Sequence, residues 1–248
     1  MDNTQRFTGK GELYAAARPQ YAPRLFDWLN DTLHISENSV FADVGSGTGI
    51  FTEQLLNCGW RVYAVEPNED MRRIAEQKLK DRQRFVSVFG TDKATGLSDR
   101  SVDYVTAAQA FHWFDAEAFR LECRRILKTG GKVILVYNTR NENADCTKAL
   151  AEIRRKYNPD FHGFSNGISD EKCLSFFDGG CEVFFTDNSQ RYDRQEYIKR
   201  VLSSSYSLRE ADACYAAYFE DVHSVFDRFA ENGILTVPIY TIAYAGSL

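Results

Sequence analysis

The sequence predicts an α/β fold, a doubly wound, three-layer arrangement around a mostly parallel sheet, and three observations lead there. Between residues 39 and 138, short β-branched or aromatic runs alternate with stretches of helical period, as when crossover helices join parallel strands. One of those strands runs straight into three glycines at alternate positions. No run approaches the roughly 18 consecutive apolar residues that cross a bilayer, so the apolar stripes must bury one another.

The elements follow in order. Pro23 suits the first turn of a helix that carries Leu25, Trp28, Leu29 and Leu33. A first strand is expected from Val40 to Val44, then a helix with Phe51 and Leu55 four apart before Gly59. The second strand runs from Arg61 to Val65, followed by a helical stripe of Met71, Ile74, Lys78 and Leu79. A third strand spans Phe85 to Phe89 and a fourth spans Val102 to Ala107. Phe119, Cys123, Ile126 and Leu127 form the next stripe, expected to stop at Gly130 and Gly131 ahead of a fifth strand from Lys132 to Tyr137. Beyond residue 138 the alternation breaks down. NTRNENAD and FHGFSNGISD read as loops, Ile153 and Tyr157 suggest a short helix, and Val183 to Phe185 and Gln195 to Leu202 read as strand and helix. Tyr215, Phe219, Val222, Phe226 and Phe229 mark a long amphipathic helix ending near Gly233. ILTVPIYTIAYAG closes the chain as a strand whose Pro238 suggests an edge or a bulge. The first residues, MDNTQRFTGKGELYAAARPQY, read as a flexible arm.

Composition narrows the function classes. With 248 residues and 44% hydrophobic content, one domain with a modest cap is expected. The expected division is 1–20 as a lid arm, 21–138 as a ligand-binding core, 139–232 as cap insertions with the sixth strand, and 233–248 as the final strand. Net charge is -5 and the cations form no stripe, which disfavours nucleic acid as a partner. The six cysteines show no close pair and no clustered His, so reduced structural thiols are expected and no metal site. The N-terminus lacks the apolar stretch of a secretory signal, so the expected location is cytoplasmic, with no membrane partner.

The strongest chemical signal is FADVGSGTGIF. Gly45, Gly47 and Gly49 let the backbone turn sharply and approach a ligand, with Ser46 and Thr48 between them. On a parallel sheet this turn lies at the carboxyl edge, where such folds bind ligands. A dinucleotide site wants GxGxxG, so that a pyrophosphate meets the helix N-terminus. Here the spacing is GxGxG, and Asp43 stands ahead of it. A carboxylate there repels a pyrophosphate and attracts an ammonium or a sulfonium, which favours S-adenosylmethionine. Glu66 closes the second strand about 20 residues after the first glycine, the offset at which an acid meets ribose hydroxyls. That geometry is shared by nicotinamide cofactors and S-adenosylmethionine. Pro67 and Met71 offer an apolar face to an adenine ring, although Met71 also suits helix packing. Asp92, in the loop after the third strand, is placed to accept a hydrogen bond from the adenine amino group.

The order VGSGTG, VEPNEDM, FGTD, SVDYVTAAQAFHWFD and RILKTGGKVIL resembles the class I methyltransferases of the type 11 group, and most the branch containing trans-aconitate methyltransferase and its small-molecule relatives. The resemblance covers about residues 12 to 138, extends more loosely to SSSYSL and the last strand, and departs at Asp92 and Lys93, where relatives often carry Ala-Glu. It implies a Rossmann-like sheet of seven strands with the last antiparallel, and cofactor contacts from Asp43, Gly45, Gly47, Gly49, Glu66 and Asp92. It also implies that Ala108 and Gln109 meet the methionine portion and that Tyr14 and Arg18 fold over the cofactor. Arg18 suits the methionine carboxylate.

His112 and Trp113 lie just past the fourth strand, placed to face the transferring methyl. His112 acts there either as a general base or, with Trp113, as a pocket wall. Tyr137 and Asn138 end the fifth strand on the same edge, and Tyr206, beside Ser203, Ser204 and Ser205, falls in the region that caps the acceptor by resemblance. The expected function is methyl transfer from S-adenosylmethionine to a small molecule by in-line displacement in an enclosed pocket, with S-adenosylhomocysteine as product. The alternatives are a nicotinamide-dependent oxidoreductase and a module that binds the cofactor without turnover.

Overall fold

The computed structural model describes residues 18–164, 169–204 and 206–248. Nine strands are described. β1 (Val40–Val44), β2 (Arg61–Val65), β3 (Phe85–Val88), β4 (Val102–Ala108), β5 (Leu127–Arg140), β6 (Cys181–Asp187) and β9 (Ile239–Gly246) form a seven-stranded sheet in the order β3-β2-β1-β4-β5-β9-β6. β9 runs antiparallel to β5 on one side and β6 on the other, while the pairs from β3 to β5 are parallel. β7 (Gln190–Tyr192) and β8 (Leu235–Val237) make a separate antiparallel pair. The helices are α1 (Pro23–Leu33), α2 (Ile50–Asn57), α3 (Glu69–Leu79), α4 (Ala116–Ile126), α5 (Asp145–Tyr157), α6 (Asp170–Leu174), α7 (Arg194–Leu202) and α8 (Tyr215–Phe229).

Side-chain alternation builds the layers. Along β5, Val133, Leu135 and Tyr137 join the core beneath α4, and Ile134 and Val136 join the core beneath α1 and α2. Leu25, Leu29 and Leu33 are the apolar stripe of α1, and Pro23 opens that helix as its sequence predicts. Burying each such leucine stabilises the fold by about 1.5–3 kcal/mol before entropy is set against it. A third apolar core joins α5, α7 and α8 to the β7/β8 pair through Leu150, Tyr197, Val201, Tyr218, Val222 and Phe226. This layer stands over the carboxyl ends of the strands and roofs the site.

Four expectations change. The fifth strand is longer than Lys132 to Tyr137 because α4 ends at Ile126 and the chain turns extended at once, carrying Gly130 and Gly131 inside β5. Gly131 is required there by close approach, since a Cβ would stand 2.8 Å from the Asp103 carbonyl oxygen, opposite an irregular register between Val102 and Tyr104. The closing segment is two strands, and Pro238, with no N–H to pair, stands where the chain leaves one sheet for the other. β9 is therefore interior and no edge strand. FHGFSNGISD is expected to be loop throughout; its residues 165–168 lie outside the described residues, and its last residue, Asp170, begins α6. Among the described residues, no helix is long and apolar enough to cross a membrane, and no His, Cys, Asp and Glu cluster is arranged to hold a metal.

Candidate functional site

Strand order reverses between β1 and β4, so the helices after these strands diverge and leave a crevice at their carboxyl ends. A cavity of about 270 Å³ occupies it. Its floor is the turn from β1 into α2. Gly45, Gly47 and Gly49 all have positive φ, at 71°, 56° and 79°. Their side-chain requirements differ. A Cβ on Gly45 would lie 2.7 Å from the Ala110 Cβ, and one on Gly49 would meet Leu79 and Ala75 at 3.0 and 3.1 Å. Gly47 alone faces open space, with only the Met71 sulfur at 3.9 Å. Gly49 serves helix packing and does not line the cavity, whereas Gly45, Ser46, Gly47 and Thr48 do.

The amides of Gly45, Ser46, Gly47 and Gly49 are already engaged. Gly45 and Ser46 N–H both donate to the Val65 carbonyl (2.9 and 3.2 Å), and Gly49 N–H donates to Ser46 (3.0 Å). Gly47 N–H donates to Glu66 Oε2 at 2.8 Å. Ser46 Oγ and Thr48 Oγ1 are buried with no hydrogen-bond partner. The cradle offers hydroxyls and a carboxylate, and it is not the ring of free N–H groups that a pyrophosphate needs.

Two acids anchor this wall. Glu66, 6% exposed at the end of β2, accepts from Gly47 N–H and, through Oε1, from its own loop at Asn68 N–H (2.8 Å). Burial raises its carboxyl above the usual range, with the Asn68 and Gly47 amides opposing. Asp43 is fully buried and accepts from Thr52 Oγ1 of α2 (2.6 Å) and Thr106 Oγ1 of β4 (2.9 Å). Burial pushes it up to about 6, against the two threonine hydrogen bonds. Asp43 thus ties three elements together at the cavity floor. The sequence's charge argument missed this bracing, although two threonines at strand and helix positions facing the same edge were its available signal. Asp92 also lines the cavity, half-buried, its Oδ2 accepting from Asp115 N–H at 3.2 Å, and burial raises its carboxyl.

Pro67, Met71, Ala108, Gln109, Trp113 and Asn138 line the cavity as well. Gln109 holds a positive φ of 54° and donates from Nε2 to the Asn138 carbonyl at 2.6 Å, which fixes the turn after β4. Asn138 is a junction more than a reaching hand. Its amide nitrogen donates to Gln20 O at 3.1 Å, and its Oδ1 accepts from Thr241 Oγ1 at 2.6 Å, clamping residues 19–20 onto the sheet. Arg18 lines the cavity where that segment enters, and Tyr206 and Ser204 line it from the cap. Tyr14 and Ser205 lie outside the described residues.

Besides Gly49, two of the expected residues do not line the cavity. Tyr137 is 6% exposed and belongs to the core beneath α4. His112 sits in a short 3₁₀ turn (Phe111–Trp113) with its ring 4.6 Å from Trp113 and 6.2 Å from Tyr137. Burial, then Lys172 and Arg18, pulls its imidazole down to about 4, so it is neutral at physiological pH. Sequence reasoning also missed Phe114, whose ring is 3.1 Å from where a Gly45 Cβ would be, and the cap residues Arg140, Arg154 and Arg200.

Comparison with known proteins places this geometry in company. Residues 42–135 match the methyltransferase domain. An uncharacterised methyltransferase-like protein of Schizosaccharomyces pombe is 36% identical over 156 residues, 61% of this chain and 58% of that one. An uncharacterised methyltransferase of a Geobacillus strain is 30% identical over 184 residues, 70% of this chain and 84% of that one. The chain spans little more than half the length of the curated relatives it matches at higher identity, 55 to 58%. Among solved structures, a candidate type II methyltransferase from Anaeromyxobacter dehalogenans superposes with a TM-score of 0.66 at 22% identity, covering 93% of this chain and 97% of that one.

Proposed function

Because the chain belongs to the methyltransferase family, we propose that it transfers a methyl group from S-adenosylmethionine to a small-molecule acceptor held in the roofed end of the cavity. The observation that carries this reading is the cradle between β1 and β2, where Ser46 Oγ and Thr48 Oγ1 are buried without partners beside the Glu66 carboxylate. Buried hydroxyls without partners cost about 1–3 kcal/mol each, a deficit that a polar ligand relieves. The acids at Asp43, Glu66 and Asp92 suit a cationic nucleoside on charge alone. When bound, S-adenosylmethionine supplies a methyl group on a sulfonium, already activated for in-line displacement.

The residues of the chain then bind, orient and exclude water. Glu66 has lone pairs beyond its two amide bonds for ribose hydroxyls, and Pro67 and Met71 supply an apolar face for the base. Asp43, held by Thr52 and Thr106, keeps a negative charge beneath the loop. Gln109 and Ala108 end β4 at the turn that faces the methionine portion, and Arg18 is placed for its carboxylate. Arg18 and Pro19, clamped to the sheet through Asn138, and the cap cover the cavity. Trp113 and Phe114 wall the methyl-transfer end, and His112 shapes that wall from behind without exchanging a proton with the acceptor. A nicotinamide reading is disfavoured because the carboxylates of Asp43 and Glu66 set negative charge against the turn where a pyrophosphate would lie. Isothermal titration with S-adenosylmethionine and S-adenosylhomocysteine tests the proposal. Saturable binding of both supports it, and the absence of heat for either, with folded protein, refutes it.

A further inference from the structure

The cavity is divided by charge. Its acids stand on the strand ends, and at the roofed end stand Arg140, where β5 leaves the sheet, Arg154 of α5 and Arg200 of α7. Among the described residues, no Asp or Glu lies within ion-pair distance of these three, although surface arginines such as Arg120, Arg125 and Arg194 all have acid partners. Arg154 is 2% exposed and donates from Nη2 to the Val201 carbonyl at 3.0 Å and to Ser207 Oγ at 3.3 Å, while its Nε and Nη1 have no partner. Arg140 lies with its guanidinium 4.8 Å from the centroid of the Phe164 ring, and Arg200 has the Tyr192 hydroxyl beside it. Burial pulls all three below the ordinary guanidinium value, and Arg200 is pressed further by Arg140 and Arg18. A guanidinium keeps its proton under such pressure, so the energy remains as uncompensated positive charge in a half-dry site.

We infer that the methyl acceptor is a small molecule carrying at least two negative charges as phosphate or carboxylate oxygens, received by Arg140, Arg154 and Arg200. The inference rests on the methyl-transfer reading for the word acceptor, but the anion site stands on its own geometry. Assigning Arg18 to the methionine carboxylate still leaves three cations for the second ligand. Three planar donors that converge without counter-ions match an oxyanion's geometry. Phe164, Tyr192 and Tyr206, with Val237 and Ile239, give the same end of the cavity apolar surface for the acceptor's body.

The test is calorimetric titration of wild type, saturated with S-adenosylhomocysteine, with phenyl phosphate, with phthalate and with neutral benzyl alcohol. At least one dianion is expected to bind at millimolar concentration or below, about tenfold or more tighter than benzyl alcohol, with affinity falling as salt is added. Preference between phenyl phosphate and phthalate identifies the oxyanion. Arg154 holds the Val201 carbonyl, so its replacement endangers the cap fold, and the partly exposed Arg140 and Arg200 carry the mutational arm. Arg140→Gln and Arg200→Gln are each expected to weaken the dianion about tenfold or more while S-adenosylhomocysteine affinity holds. Equal binding of benzyl alcohol, no saturation by either dianion, or dianion affinity unchanged in both variants overturns the inference. If wild type fails to bind S-adenosylhomocysteine, the methyl-transfer reading falls, and dianion titration of the free protein still decides the anion site.

Discussion

Replacing Glu66 by Gln isolates the part of the site on which the cofactor reading leans most. The two side chains have the same shape, but both Glu66 oxygens accept from backbone N–H groups, Oε2 from Gly47 and Oε1 from Asn68, each at 2.8 Å. A Gln must therefore turn its NH₂ toward one of these donors, whichever way it flips. The variant loses one charge-assisted hydrogen bond, worth about 1.5–3 kcal/mol, and leaves a buried N–H unpaired at a further cost of about 1–3 kcal/mol. Relief of the desolvated charge that raises the Glu66 carboxyl offsets part of this, so a net loss of about 2–3 kcal/mol is expected in the urea midpoint. Cofactor affinity is a separate readout. A carboxylate that accepts ribose hydroxyls is expected to lose about tenfold to a hundredfold in S-adenosylhomocysteine binding as the Gln variant, measured by calorimetry on the folded protein. If stability falls and affinity stays within about twofold of wild type, Glu66 braces the glycine loop and the ribose assignment is refuted. If neither changes, the hydrogen bonds to Gly47 and Asn68 are themselves in question.

Three further outcomes test the site from other directions. Asp43 is raised from 3.8 to about 6, and a raised carboxyl favours folding only when protonated, so its contribution is complete below about pH 3.8 and is lost as the pH climbs through 6. Asp43→Asn is therefore expected to stabilise the ligand-free protein by about 1–3 kcal/mol at pH 7.5 and by little at pH 4, read from urea midpoints, with weaker S-adenosylmethionine binding at pH 7.5; equal stability at both pH values counts against it. Gly45→Ala must hold a φ of 71° and place its Cβ 2.7 Å from Ala110, costing about 1–2 kcal/mol for the left-handed backbone and about 1–3 kcal/mol for the overlap. A melting temperature within a degree or so of wild type would contradict that. His112→Gln is expected to lower turnover less than about tenfold and to leave the pH–rate profile above pH 5 unchanged, because general-base catalysis is worth about 10²–10⁴ and this imidazole is displaced from the cavity wall; a loss beyond a hundredfold restores it as a base.

What was legible in the sequence follows from how far apart the cooperating residues lie. β1 and β2 run from Val40 to Val44 and from Arg61 to Val65, as their β-branched runs and flanking turn residues predict, because a buried parallel strand must be apolar throughout. The glycine turn, Glu66 and Asp92 were readable for a related reason, since each follows its strand directly and a parallel sheet puts every such end on one edge. Periodicity failed where a glycine serves a contact across the sheet, so Gly130 and Gly131 read as a helix stop although they lie inside β5. It failed again at Pro238, where one apolar run serves two sheets. Tyr137 and Asn138 are adjacent and were expected on one surface, but alternation sends Tyr137 into the core while Asn138 lines the cavity.

The arginines show the limit most sharply, and also why it matters. Arg140, Arg154 and Arg200 lie in three elements that meet because α5, α7 and the β7/β8 pair pack into one cap, so no local motif or periodicity in the sequence joins them. Yet they complete a pattern begun by the readable half of the site, since acids alone would draw any cation to the crevice and would orient nothing. With acids at one end and guanidinium groups at the other, reversed binding of either ligand sets like charges together in a partly dry cavity. Binding of a cationic donor at the acid end also draws an anionic acceptor into the opposite end, so each ligand is expected to tighten the other. That coupling is reciprocal by thermodynamic necessity, and a site of this polarity needs no proton-transferring side chain to align two reactants.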